Sequence, residues 1–316
     1  MREWKKAPSK FNGRPKPPGY YDKNGEAVLF FTNCQCKIQD GIIKFPKAIG
    51  LELKTRLPNN TNLREVRIVP RGGGYKCEIV YDENKNKAMA PDMKRIAGID
   101  LGMSNIITMV NNIGEQPIAV KDDGRGIKSI NQFYLKEKSR LQSIYSERKI
   151  VHSRQVDRLN WKHKKKVLDY IHKASRFLIN WCIEHQVGQI IVGRNKRWKQ
   201  FADMGRRNNQ TFVSIPYFIL INQLKYKGAE KGIMVDDPEE SYTSKCSFLD
   251  SESIKHHEDY LGRRTKRGLF VSAAGIKINA DCNGGYNIVR KSEPKAFLKV
   301  DGVGGCGLHP KIFSIS

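Results

Sequence analysis

Short apolar runs separated by turn signals fill the chain from Ala27 to about Glu83. "AVLFFTN", "GIIKFP", "LREVRIVP" and "YKCEIVYD" read as strands. "RGGGYK", with Gly72 to Gly74, reads as a hairpin turn, because glycine accepts positive φ. The pattern predicts a small β-barrel or sheet ending at "AMAPDM", Ala88 to Met93. Before it lies "KAPSKFNGRPKPPGY", in which proline removes donors and fixes φ, so an extended basic segment is expected rather than regular structure.

The pattern changes after Pro91. "RIAGIDLG", "NIITMVNN" and "QPIAVKD" read as three strands, followed by helical periodicity over Ser129 to about Ile150 and about Gln155 to Gln186. "GQIIVGRN" reads as a buried strand, "FVSIPYFILINQLKYKGAEKG" as a helix and "IMVDD" as a strand. "INADCNGGYNIVRK" reads as a turn entering a helix. Strands that then alternate with helices predict a mixed α/β sheet carrying packed helices. The expected division is residues 1–91 for the β domain and 92–316 for the α/β domain.

Charge narrows the function. The 316 residues hold 57 Lys plus Arg against 32 Asp plus Glu, a net +25. Such an excess attracts polyanions, nucleic acid first among them. Lys136 to Lys166 holds eleven basic and three acidic residues, with Tyr145 and Trp161 interleaved. A solvated helix face ordinarily mixes both signs, so Lys164, Lys165 and Lys166 are candidate phosphate contacts. A second cluster holds Arg194, Lys196, Arg197, Lys199, Arg206 and Arg207 around Trp198. A third, "GRRTKRG", holds Arg263, Arg264, Lys266 and Arg267. Aromatics among cations suit base stacking as well as phosphate contact.

Other classes lose support. No apolar stretch approaches a membrane span, and "MREWKKAPSK" lacks the apolar core of a secretory signal, so a cytoplasmic location is expected. The seven cysteines are Cys34, Cys36, Cys77, Cys182, Cys246, Cys282 and Cys306. Their number is odd and no C-x-x-C pair occurs, so reduced thiols are expected rather than disulfides or a zinc ribbon.

Against this basic background three acids stand out. Asp100 ends the apolar strand in "IAGIDLGMSN", Asp281 opens "DCNGGYNI", and Glu239 and Glu240 end "IMVDDPEE". Acids at strand ends and helix starts can converge at one sheet edge and form an oxygen-rich Mg²⁺ site. Two such ions activate water and stabilise the leaving oxygen of a phosphodiester. Each acid alone has a plainer reading: Asp281 as a helix N-cap, Glu240 as a loop acid, Asp100 as a turn former.

These motifs, with "IVGRNKRWKQ", "GRRNNQTFVSIPYFILINQLKYKGAEKGI", "EESYTSKCSFLD" and "GRRTKRGLF", resemble the TnpB (OrfB) family over roughly Trp4 to Pro310. That family is encoded by bacterial insertion sequences and is related to type V CRISPR effectors. The resemblance implies an RuvC-like (RNase H-like) mixed sheet with helices, preceded by a partial, wedge-like β-barrel domain. It also implies transposon-associated, RNA-guided, Mg²⁺-dependent cleavage of DNA, with two ions, a guide RNA and target DNA as partners. Asp100 matches the first RuvC aspartate and Asp281 the last. The middle glutamate departs from the pattern. Where many relatives carry it, this chain has Gly193 and Arg194. Some relatives resemble an alternative in which a displaced glutamate precedes a T-S-K-like motif, and Glu240, before Thr243, fits it. The expected metal and catalytic residues are therefore Asp100, Glu240 and Asp281, with Glu239 as the alternative to Glu240.

Two further departures set expectations. Relatives often carry four zinc cysteines in the stretch corresponding to about 241–280. Here Cys246 stands alone before Cys282, and His256 and His257 read as surface, so zinc is not expected. The chain also enters inside the family's N-terminal region, so an N-terminally truncated protein is expected, with a second chain or a dimer as the candidate source of the rest. A non-cutting nucleic-acid binder or repressor is the competing function. A sugar-kinase-like ATPase, suggested by "IDLGMSN" and "VDGVGGCG", ranks third.

Overall fold

A computed structural model describes residues 2–10, 12–14, 19, 25–82, 91–102, 105–121, 126–151, 153–194, 215–297 and 305–315. Two compact units share the chain, residues 1–84 and 85–316.

The first unit begins with helix α1 (Arg2–Lys6) and a single 3-10 turn (Pro8–Lys10). The turn departs from the fully irregular start expected from its prolines; Pro8 opens it, where the missing N–H costs nothing. Strands follow: β1 (Leu29–Thr32), β2 (Lys37–Gln39), β3 (Ile42–Lys44), β4 (Glu52–Lys54), β5 (Asn62–Pro70) and β6 (Tyr75–Asp82). They form two antiparallel three-stranded sheets, β1-β5-β6 and β2-β3-β4. Gly72 and Gly73 turn the β5–β6 hairpin with positive φ. Phe31, Cys36, Ile38, Ile43, Leu63 and Val66 join both sheets in one core. Among the described residues no strand pairing closes them into a barrel.

The second unit is built on a six-stranded sheet. Its strands are β7 (Asp92–Asp100), β8 (Asn105–Asn111), β9 (Ile118–Lys121), β10 (Val187–Val192), β11 (Met234–Asp236) and β15 (Lys311–Phe313). Their order is β11-β10-β7-β8-β9-β15. The β7–β8–β9 pairings are antiparallel, and β10 joins β7 in parallel. The parallel step is made by two long helices, α2 (Ile127–Glu147) and α3 (Arg154–Glu184). Helix α4 (Tyr217–Ala229) then leads to β11. It starts five residues later than the apolar pattern suggests, because Pro216 disfavours helix in the residue before it. A small antiparallel sheet, β12 (Arg263–Lys266), β13 (Leu269–Val271) and β14 (Lys277–Asn279), feeds helix α5 (Ala280–Ser292).

Helices cover both sheet faces, so β10 is buried at all six positions and reads as a continuous apolar run. Alternation along β7 decides which side chain meets which layer. Ala97 and Ile99 join the core under α3 and α4, with Leu178, Ile179 and Leu220. Ile96 faces the other way, with Tyr286, Ile288 and Val289 of α5. Gly98 lies on that second face, where a Cβ would stand 2.4 Å from Val289 Cγ2 and 2.7 Å from the Gly285 carbonyl. Helix α5 can sit so close only because glycine is there. By the same parity Asp100 belongs to the α5 face.

Candidate active site

Asp100 is the last residue of β7, half-buried on the side of the sheet that α5 covers. The turn after it is tight: a Cβ on Gly102 would meet the Asn105 carbonyl at 2.8 Å. The Tyr217 hydroxyl, from the start of α4, donates to the Gly102 carbonyl at 2.7 Å and fixes that turn. The Asp100 carboxyl is held well above its ordinary range, first by burial and then by the charges of Glu240 and Asp281. Arg264 and the Leu101 N–H act in the opposite direction. The three acids named from the sequence are therefore electrostatic neighbours, although they lie up to 181 positions apart.

Asp281 is the second residue of α5. It does not cap the helix. Asn279 does so, its Oδ1 accepting the N–H groups of Asp281 (3.0 Å) and Cys282 (3.2 Å). An acid in the first turn suits the helix dipole. Asn105 Nδ2 donates to Asp281 Oδ2 at 2.8 Å, which ties the β7–β8 turn to the head of α5. Arg264 Nη2 stands 3.9 Å from Asp281 Oδ1. The helix passes Asp100 with a bare backbone, since a Cβ on Gly284 would lie 3.1 Å from Asp100 Oδ2.

Glu240 comes from irregular structure. Strand β11 ends at Asp236, earlier than the run "IMVDDPEE" suggests, because Pro238 has no N–H to continue a ladder. The chain still follows β10: Arg194 N–H donates to the Pro238 carbonyl (3.0 Å) and Glu240 N–H to the Arg194 carbonyl (3.2 Å). This brings the Glu240 carboxyl to Gly193. A Cβ on Gly193 would stand 2.3 Å from Glu240 Oε2 and 2.4 Å from Ile288 Cδ1. Glu240 thus fills the space that a side chain at Gly193 would take. Its Oε2 is buried and has no hydrogen-bond partner among the described residues. Burial raises its pKa to about 7, with Lys291 acting in the opposite direction. Glu239 is exposed and accepts the Ser241 hydroxyl at 3.0 Å. Among the described residues no three His, Cys, Asp or Glu side chains stand close enough together to hold a metal ion as they are.

The basic candidates fall in different places. No residue of α3 between Arg154 and Lys166 is buried, so this half of the helix projects beyond the core and exposes Lys164, Lys165 and Lys166. It is braced against α2 by a Tyr134–His163 stack at 3.9 Å and a His163–Asn131 hydrogen bond of 2.7 Å. Lys165 Nζ lies 3.7 Å from the centre of the Trp161 ring. Arg263, Arg264, Lys266 and Arg267 are exposed on the β12–β13 hairpin. Arg194 is bonded to Asp237 at 2.7 Å. Lys196, Arg197, Trp198, Lys199, Arg206 and Arg207 lie outside the described residues, as does most of "VDGVGGCG". No helix among the described residues is long and apolar enough to cross a membrane.

Sequence reasoning missed the residues that hold the acids in place: Asn105, Asn279, Thr243 and Tyr217. It also treated Gly193 only as a lost ligand. Asn279 was detectable, since Asn two residues before an acid at a helix start is a common capping pattern.

The fold is similar to that of a protein of known structure. The chain superimposes on Cas12f1 in the cryo-EM structure of a Cas12f1-sgRNA-target DNA complex with a TM-score of 0.56, at 17% identity, over 75% of this chain and 46% of that one. A family model described as "OrfB_IS605: Probable transposase" matches residues 78–199, and one for the Cas12f1-like TNB domain matches residues 217–288. The TnpB-like protein MJ0751 of Methanocaldococcus jannaschii is 26% identical over 64% of this chain and 70% of its own length. The TnpB-like protein ORF457 of Acidianus two-tailed virus is 24% identical over 71% of this chain and 48% of its own. The chain is therefore similar to TnpB-like proteins in sequence and to Cas12f1 in fold. It spans about half the length of ORF457 and of Cas12f1.

Proposed function

We propose that the chain is an RNA-guided, Mg²⁺-dependent DNA endonuclease whose metal ligands are Asp100, Glu240 and Asp281. The observation that carries this reading is the buried Glu240 Oε2, which has no partner among the described residues and occupies the space left by Gly193 beside Asp100. A buried carboxylate without a donor is costly, and a bound cation is the usual compensation. The donor set fits Mg²⁺, which takes hard oxygen ligands. When bound, two such ions polarise the scissile phosphate and lower the pKa of the attacking water.

The protein's own groups do the rest. Asn105 orients Asp281, and the Tyr217–Gly102 bond fixes the turn that presents Asp100. Arg264, with Nη2 3.9 Å from Asp281 Oδ1, is read as the contact for a phosphate oxygen. The exposed lysines of α3 and the β12–β13 hairpin supply positive charge for the backbones of guide RNA and target DNA. Residues 1–91 are read as a partial wedge-like domain, and 92–316 as the RuvC-like nuclease domain with a degenerate zinc-ribbon region at about 241–280.

The test is cleavage of plasmid DNA by the chain co-expressed with RNA from its own locus, with Mg²⁺ or with EDTA, beside Asp100→Ala. Cutting that needs Mg²⁺ and is lost in the variant is expected. Tight, salt-sensitive binding without cutting would instead identify a nucleic-acid binder.

A further inference from the structure

Glu240 sits on a strained turn. Tyr242, two residues on, has φ 68°, the left-handed region that a non-glycine residue enters only when its surroundings impose it. A metal ligand on such a turn would wander unless the turn were held from outside.

Thr243 and Asn287 hold it. Thr243 is 3% exposed. Its Oγ1 donates to the Glu240 carbonyl at 2.8 Å, and its N–H donates to the same oxygen at 3.2 Å. The turn is thus closed by two donors on one acceptor. Asn287, fully buried in α5, donates through Nδ2 to the carbonyls of Thr243 (2.9 Å) and Cys246 (2.7 Å). Its Oδ1 accepts from Arg290 Nη2 at 2.8 Å, so the amide has one satisfied orientation. One turn earlier on the same face, Asn283 donates to the Cys246 carbonyl at 2.9 Å and accepts from the Phe248 N–H at 2.9 Å. Helix α5 therefore fixes two acids at once. It carries Asp281 in its first turn, and its buried asparagines fix the loop that brings Glu240.

We infer that Thr243, anchored by Asn287, is a positioning residue for the displaced metal ligand Glu240. The inference rests on the proposed metal-binding role of Glu240. Removing the Thr243 hydroxyl leaves the carboxylate in place but frees its backbone, so cation affinity falls while the fold persists. Partners that orient a ligand typically cost 10–100-fold in affinity or activity when lost.

The test is Mn²⁺ binding to the full chain without nucleic acid, followed by the loss of the free-ion paramagnetic resonance signal, with thermal unfolding measured in parallel. Thr243→Val, of the same size, is expected to weaken Mn²⁺ binding about tenfold. Thr243→Ser, which keeps the hydroxyl, is expected to restore most of it. Thr243→Ala, smaller and free of steric demand, is the second variant should Val disturb folding. Glu240→Gln is the reference. If Glu240→Gln loses binding while Thr243→Val and Thr243→Ala bind as tightly as the parent, the positioning role is overturned. If Glu240→Gln itself binds Mn²⁺ unchanged, the ligand assignment fails instead.

Discussion

Two ionisable side chains with buried polar atoms, on opposite faces of the central sheet, are treated in opposite ways. Lys227 of α4 is 3% exposed, and its ammonium donates to Ser175 Oγ at 2.6 Å, the His172 carbonyl at 3.0 Å and Gln223 Oε1 at 3.4 Å. All three ammonium protons have acceptors, and the contact links α4 to α3. Glu240, on the α5 face, keeps a buried oxygen with no donor among the described residues. Both groups have pKa values pushed toward neutrality by burial, Lys227 down to about 8 and Glu240 up to about 7. The shift alone does not separate structure from function. Satisfaction does at these two positions: Lys227 has a complete hydrogen-bond shell and serves packing, whereas the incomplete shell of Glu240 calls for a further ligand.

The sharpest way to break this contrast is to fill the reserved space. Gly193→Ala places a Cβ where Glu240 Oε2 and Ile288 Cδ1 already lie, so Glu240 must move. Cutting is expected to fall by at least the roughly 100-fold that loss of an orienting partner can cost. Overpacking adds a stability loss of about 1–3 kcal/mol. Cleavage rates and a urea melt of the same preparation check both. An unchanged cutting rate would mean that Glu240 does not need its present position.

A second effect appears in the pH dependence of stability. A carboxyl raised from 4.5 to about 7 binds its proton more tightly in the folded state than in the unfolded one. Its contribution is fully present below about 4.5, is lost as pH rises toward 7 and stays lost above that. Ionisation then costs the fold about 3 kcal/mol when no cation is bound. In EDTA, Glu240→Gln is expected to melt higher than the parent at pH 8 and close to it at pH 4. Adding Mg²⁺ at pH 8 should raise the parent's melting temperature more than the variant's.

The smallest effect is expected on the satisfied side. In Lys227→Met, the Ser175 hydroxyl still has an acceptor for its one proton, the Ile171 carbonyl (2.8 Å) or Gln223 Oε1 (2.8 Å). Stability at pH 7 should change by no more than about 1 kcal/mol, the scale of one net hydrogen bond. Cutting should not change. A large loss of cutting would show that the α3–α4 face takes part in function after all.

The sequence carried the sheet-borne part of the site well. Strand alternation through "RIAGID" is enough to set Asp100 opposite Ile99, on the face that α5 covers. The helix "DCNGGYNI" was equally plain, its glycines being the close-approach positions. The loop after β11 was not, because Glu240 reaches Gly193 through backbone bonds to Arg194 that no periodicity encodes. The β12–β14 sheet escaped notice because "RRTK" is exposed at all four positions and carries no alternation. Strand β15 pairs in parallel with β9, a contact across nearly 200 positions that local pattern cannot supply.

The central claim is that Glu240, and not its neighbour, completes the metal site. The direct measurement is the rate of plasmid cleavage against Mg²⁺ concentration for Glu240→Gln and Glu239→Gln. Loss of cutting in Glu240→Gln at every Mg²⁺ concentration, with Glu239→Gln close to the parent, is the predicted result. Retained cutting by Glu240→Gln, or loss confined to Glu239→Gln, would contradict it.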